Sequence, residues 1–141
     1  MEPKMDAHAI MAQMQQDVRR AVLRVLLPVH ALTALSGRAQ DEMQSDLDRW
    51  KSEGRIFSVE YEGVEYFPGF ALDPAAEYRP FPAVAEVIAI LSNQEFFSHW
   101  ALAMWFIAAN SFLDDQCPME LLADDPEWVV EAARDTLQEM I

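Results

Sequence analysis

The 141-residue chain has one cysteine, Cys117, so no internal disulfide can form. A lone thiol without a histidine-rich neighbourhood also makes a poor metal or nucleophile signature. Only four glycines occur, Gly37, Gly54, Gly63 and Gly69, each where a turn is predicted, which leaves no glycine-rich loop to cradle a phosphate. The longest apolar run, WALAMWFIAA at 100–109, is ten residues between His99 and Asn110. A membrane-spanning helix needs about 20, so no membrane anchor is expected. The first stretch, MEPKMDAHAIMAQMQQDVRR, lacks an apolar core behind a basic start. No signal peptide is expected there, and the chain is expected in the cytoplasm.

Basic charge is the other scarcity. Residues 1–79 carry 13 acidic and nine basic side chains, whereas residues 80–141 carry 11 acidic side chains against the single base Arg134. The total is −14. The second half should repel nucleic acid and anionic membrane and steer a basic protein toward itself, unless the acids serve only to keep an apolar protein soluble.

What is abundant is bulk for a core: four Trp, eight Phe and eight Met in a length that fits one domain or two small ones. Ile10, Met14, Val18, Val22 and Val25 recur at the period of one helical face, predicting a helix over 6–27 that Pro28 ends. A second helix is expected over 29–36, with Leu32 and Leu35 inward and Gly37 at its stop. A third is expected from about Ala39, burying Met43, Leu47 and Trp50 and ending at Gly54. In IFSVEYEGVEYF, Phe57, Val59 and Tyr61 alternate with polar residues, and Glu62-Gly63 fits a tight turn. This predicts a hairpin of strands 56–61 and 64–67, closed by Pro68 and Gly69. Residues 68–82 read as a proline-rich connector with buried aromatics.

Three helices and then a hairpin is the order of a winged helix-turn-helix, in which the third helix reads DNA. Here that helix carries Asp41, Glu42, Asp46, Asp48 and Glu53 against Arg49 and Lys51, a poor surface for phosphates. The remainder reads as a helical bundle: a buried helix at 81–91, a central helix over 94–108, a short helix at 118–123 begun by Pro118, and a last helix capped by Asp125 with Pro126 at its first position. In that last helix Val129, Ala133, Leu137 and Met140 form the expected inward stripe. The fold class is therefore mainly α, with a degenerate winged-helix-like unit at 1–79 and a helical domain at 80–141.

Candidate chemistry is sparse. Asp114-Asp115 and Asp124-Asp125 are adjacent pairs that do not converge on one atom, and His8, His30 and His99 lack ligand spacing. No enzyme, cofactor or metal is expected.

Four stretches, WKSEGRIFSV from Trp50, GVEYFPGFALD from Gly63, WFIAANSFL from Trp105 and PMELL from Pro118, together resemble the Xre/MbcA/ParS-type antitoxins, above all their C-terminal toxin-binding domain. The resemblance runs from about Arg49 to the end. It implies a bacterial antitoxin that neutralises a RES-class, NAD-consuming toxin by covering its active-site entrance, and in many members a helix-turn-helix that represses the operon. Trp105, Asn110, Leu113, Pro118 and Leu122 match the signature of that domain. Asp114 and Asp115 stand where glycine is usual, and Ala71 where the F-P-x-F-Q-F-D run has glutamine. Partner contacts are expected at Asn110, Leu113, Asp114, Asp115, Pro118, Leu122, Asp124, Asp125, Glu127 and Trp128. Trp50, Gly54, Phe57, Gly63, Phe67, Pro68, Phe70, Trp100 and Trp105 are expected to hold the fold. A winged-helix regulator, a helical adaptor and a helical enzyme are the competing readings, and homodimerisation stays open.

Overall fold

A computed structural model describes residues 7–92 and 97–140. The predicted helix starts at Asp6 and Gln94, and the break at Asn93, lie outside the described residues. Helix α1 spans Ala7–Leu23 and stops well short of Leu27. The cause is Pro28, whose ring would strike the carbonyl of Arg24 and which forces Leu27 into extended backbone. Residues released from the helix form strand β1, Leu26–Pro28, an element absent from the sequence reading. Helices α2 (Val29–Ser36) and α3 (Gln40–Ser52) follow, with Gly37 between them at φ 72°, a left-handed stop. Leu32 points inward as expected, but Leu35 is exposed.

Strands β2 (Val59–Tyr61) and β3 (Val64–Pro68) form the hairpin. Its two turn residues, Glu62 and Gly63, both have positive φ (50° and 80°), the twist a two-residue hairpin turn needs. Ile56 and Phe57 lie outside the strand, and Pro68 belongs to β3 rather than closing it. Strand β3 is central. It pairs antiparallel with β2 through Glu60↔Glu65 and with β1 through Leu27↔Phe67, in the order β1-β3-β2. Helix, strand, two helices and a hairpin whose second strand pairs with the first strand make up the winged-helix arrangement.

Residues 69–81 are more ordered than a plain connector. A 3-10 turn at Gly69–Ala71 leads into a two-residue ladder, β4 (Leu72–Asp73) with β5 (Arg79–Pro80), whose strands are joined through a second 3-10 turn at Pro74–Ala76. Strand β5 itself crosses the predicted division at 79/80. The helical half comprises α4 (Pro82–Leu91), α5 (His99–Ile107), 3-10 turns at Ser111–Leu113 and Pro118–Leu121, and α6 (Pro126–Met140), which packs chiefly along α4. Helix α5 begins later than predicted, at the Ser98 cap, whose Oγ accepts from Ala101 N–H at 3.1 Å.

Two apolar cores result. One lies inside the winged-helix unit and holds Leu32, Met43, Leu47, Trp50, Ile56, Phe67 and Leu72. The larger joins Val22, Leu26, Phe57 and Val59 of that unit to Val84, Val87, Leu102, Phe106, Val129 and Ala133 of the helices. Phe106 is its hub: Phe57 stacks on it at 6.2 Å, Phe70 tilts against it at 5.4 Å, and Trp105 meets it edge-on at 5.1 Å. The buried face of α6 differs from the expected stripe. Val130 and Ala132 are buried with Val129 and Ala133, whereas Met140 is exposed.

Candidate functional site

The segment 110–128 is built from short local devices. Asn110 accepts from Phe112 N–H through its side chain at 3.0 Å, and its backbone bonds Gln116 O, Leu113 N and Asp115 N, closing a compact loop. That closure puts Asp114 and Asp115 in consecutive left-handed conformations, φ 55° and 65°, where aspartate is among the better-tolerated non-glycine residues. Pro118 starts the next 3-10 turn, where its missing N–H costs nothing. Asp125 then caps α6, its Oδ1 accepting from Trp128 N–H at 3.3 Å, with Pro126 in the first turn.

These devices place α6 beside the start of α4, and a groove of about 530 Å³ lies between them. Its floor is apolar, formed by Phe81, Ala83, Leu122 and Val130, and its rim carries Asp73, Glu86, Glu127 and Glu131 against the one cation Arg134. A second hollow, on the other side of the Glu127–Glu131 ridge, is lined by Asp125, Glu127, Trp128 and Glu131. The half-buried Trp128 lines this second hollow with the three carboxylates Asp125, Glu127 and Glu131. An apolar base rimmed by acids suits a basic, partly apolar protein segment.

The predicted contact residues divide. Asp114, Asp115, Asp124, Asp125 and Glu127 are exposed, and Asn110 and Trp128 are half-buried. Leu113, Pro118 and Leu122 are buried: Leu113 sits inside the 110–116 loop, and Leu122 floors the groove. The loop around Asp114 lines neither hollow. Sequence reasoning missed Glu131 and Arg134 as groove residues, although Glu127, Glu131 and Arg134 share one helical face by their i, i+4, i+7 spacing. Asp73 and Glu86 reach the rim only through tertiary packing, for which no local signal exists.

The residues expected to hold the fold lie as follows. Trp50, Phe57, Phe67 and Pro68 are buried, Gly54 and Gly63 have positive φ, and Phe70 and Trp105 pack on Phe106. Trp100 differs. It lies half-buried at the junction with α1, beneath the Arg19 guanidinium at 5.5 Å and edge-on to Tyr61 at 6.2 Å. His99 nearby places Nδ1 2.9 Å from Ser58 O.

No cluster of three metal-ligating side chains occurs among the described residues. Burial, and then the charge and hydrogen bond of Glu120, push the Cys117 thiol up, which keeps it protonated and poorly nucleophilic. No described helix is long and apolar enough to cross a membrane.

No protein-family model, curated protein or solved structure matches the chain.

Proposed function

We propose that this protein is a non-enzymatic binding module that docks a basic protein on the face made by α4 and α6. In its specific form it is a bacterial, cytoplasmic antitoxin that covers the active-site entrance of a RES-class, NAD-consuming toxin. The observation that carries the binding reading is the groove itself, an apolar floor inside an acidic rim on the half of the chain with one base. The toxin's class rests on the resemblance of residues 50–122 to the Xre/MbcA/ParS-type antitoxins.

The winged-helix topology favours a second reading, a DNA-binding regulator. Its two reading elements argue against that use. The outward face of α3 presents Asp41, Glu42 and Asp48, its Arg49 is paired to Asp46 at 3.1 Å, and the hairpin exposes Glu60 and Glu62. Such surfaces repel a phosphate backbone. In this reading the winged helix serves as a scaffold.

Co-expression of the adjacent reading frame, with and without this protein, tests the proposal through colony survival and cellular NAD. The expected result is a neighbour that kills and drains NAD alone and is silenced by this chain. Silencing should fail for Glu127→Lys with Glu131→Lys. A harmless neighbour overturns the antitoxin reading, and a band shift with upstream DNA by this protein alone moves the regulator to first place.

A further inference from the structure

Among the described residues, none buries the face of α1 that carries the apolar repeat. Ile10, Met11, Met14 and Val18 are 46%, 59%, 61% and 38% exposed, and every residue from 7 to 15 is exposed. Only Val22, at the far end, is buried in the core. Beside this face a groove of about 520 Å³ runs along α1 to Trp100 at the start of α5. An isolated helical stretch this short is marginal in water, because helices draw most of their stability from packing an apolar face. Residues at i, i+4 and i+8 lie on one ridge, so Ile10, Met14 and Val18 form a continuous stripe that neighbouring structure would have to cover.

We propose that a second copy of this chain covers it, through a two-fold, antiparallel pairing of the α1 helices. Charge favours a second copy over the basic partner proposed for the other face. The α1 helix bears Asp17 against Arg19 and Arg20, while the chain as a whole is at −14. This face is therefore where two such polyanions can approach without strong mutual repulsion, and where a basic partner gains no steering. The spacing is self-complementary. With the helices crossing at Met14, each Met14 meets its counterpart and each Ile10 meets Val18 of the other copy, as a two-fold interface requires. Each α1 would also lie along the groove that ends at the other copy's Trp100. A contact of about one helix per copy falls toward the small end of specific interfaces, roughly 1,200 Å² in total, so the dimer should depend on concentration.

Sedimentation velocity on the full chain from 1 to 200 µM tests this, alongside Met14→Lys. The pairing predicts a concentration-dependent dimer for the natural chain and a monomer for Met14→Lys of unchanged circular dichroism. A natural chain monomeric at 200 µM overturns the proposal, and so does a Met14→Lys protein that dimerises equally well. Should Met14→Lys fail to fold, Met14→Cys in a Cys117→Ser background decides: diamide should link it into a covalent dimer quantitatively. Cross-linking no faster than that of an Asp48→Cys control would overturn the pairing.

Discussion

Trp105 of α5 donates its indole N–H to Oγ1 of Thr136 on α6 at 2.9 Å, and Thr136 donates its own hydroxyl to Ala132 O at 3.0 Å. The bond joins two helices that otherwise meet through apolar groups, and it gives the polar end of a half-buried indole a partner. Trp105→Phe keeps most of the ring and loses the bond, so it should lower unfolding free energy by about 1 kcal/mol. Trp105→Ala also loses the edge-on contact with Phe106 and should cost about 3 kcal/mol. Urea denaturation of the two variants separates the contributions. Equal losses would assign the role to the hydrogen bond and not the ring.

Glu65 on β3 accepts from Lys51 of α3 and from Ser58 Oγ, the latter at 2.6 Å, tying the third helix to the hairpin. Partial burial works against its charged form, but the hydrogen bonds from Lys51 and Ser58 and the Lys51 charge outweigh it and hold the carboxyl below its ordinary value of 4.5. A carboxyl depressed in the folded state contributes stability that is complete above the ordinary value and lost as the pH falls through the lower folded one. Glu65→Gln should therefore be less stable than the natural chain at pH 7 and nearly equal to it at pH 2.5. Thermal midpoints across that range would show the two curves converging in acid. Parallel curves would exclude this ion pair as a source of pH dependence.

The paired left-handed aspartates give a test that separates folding from binding. Asp114→Gly removes the steric cost of a Cβ at φ 55° and should leave stability unchanged or raise it by about 0.5 kcal/mol. A fall of 1 kcal/mol or more in denaturation would show that the Asp114 side chain contributes to the loop itself. If these carboxylates also face the partner, affinity should drop by about threefold or more while stability holds.

Trp128 and Leu113 should behave oppositely toward a partner. Trp128→Ala removes a ring that lines the second acidic hollow and should weaken binding by about 2 kcal/mol with the fold intact. Leu113→Ala empties a fully buried site and should cost about 3 kcal/mol of stability. Titration calorimetry and denaturation on the same two proteins check both. Unchanged affinity for a folded Trp128→Ala would move the interface elsewhere.

Local devices were legible in the chain and tertiary consequences were not. Gly37, Glu62-Gly63, Pro118 and Asp125 each act within four residues, and each turn or cap appears where its chemistry demands. The Met43, Leu47 and Trp50 face of α3 was likewise readable from period alone. Strand β1 was missed because apolar residues before Pro28 continue a helical pattern, and only the steric reach of that proline, plus the presence of β3 to pair with, turns them into a strand. The α1 repeat was readable as a face, but periodicity cannot tell a face turned to the core from one turned outward. At the candidate site, Leu113, Pro118 and Leu122 were matched by motif, and a motif does not distinguish a side chain that touches a partner from one that shapes the surface touching it.

The larger core, running from Val22 and Phe57 through Phe106 to Val129, has a bearing on turnover in the cell. Opening either the sheet or the helical half exposes apolar surface of the other, so a protease reaches the strands and helices of this core only when the core opens. A partner seated on α6 would therefore lengthen the life of the winged helix, which it never touches, by lowering the population of states in which this shared core is open.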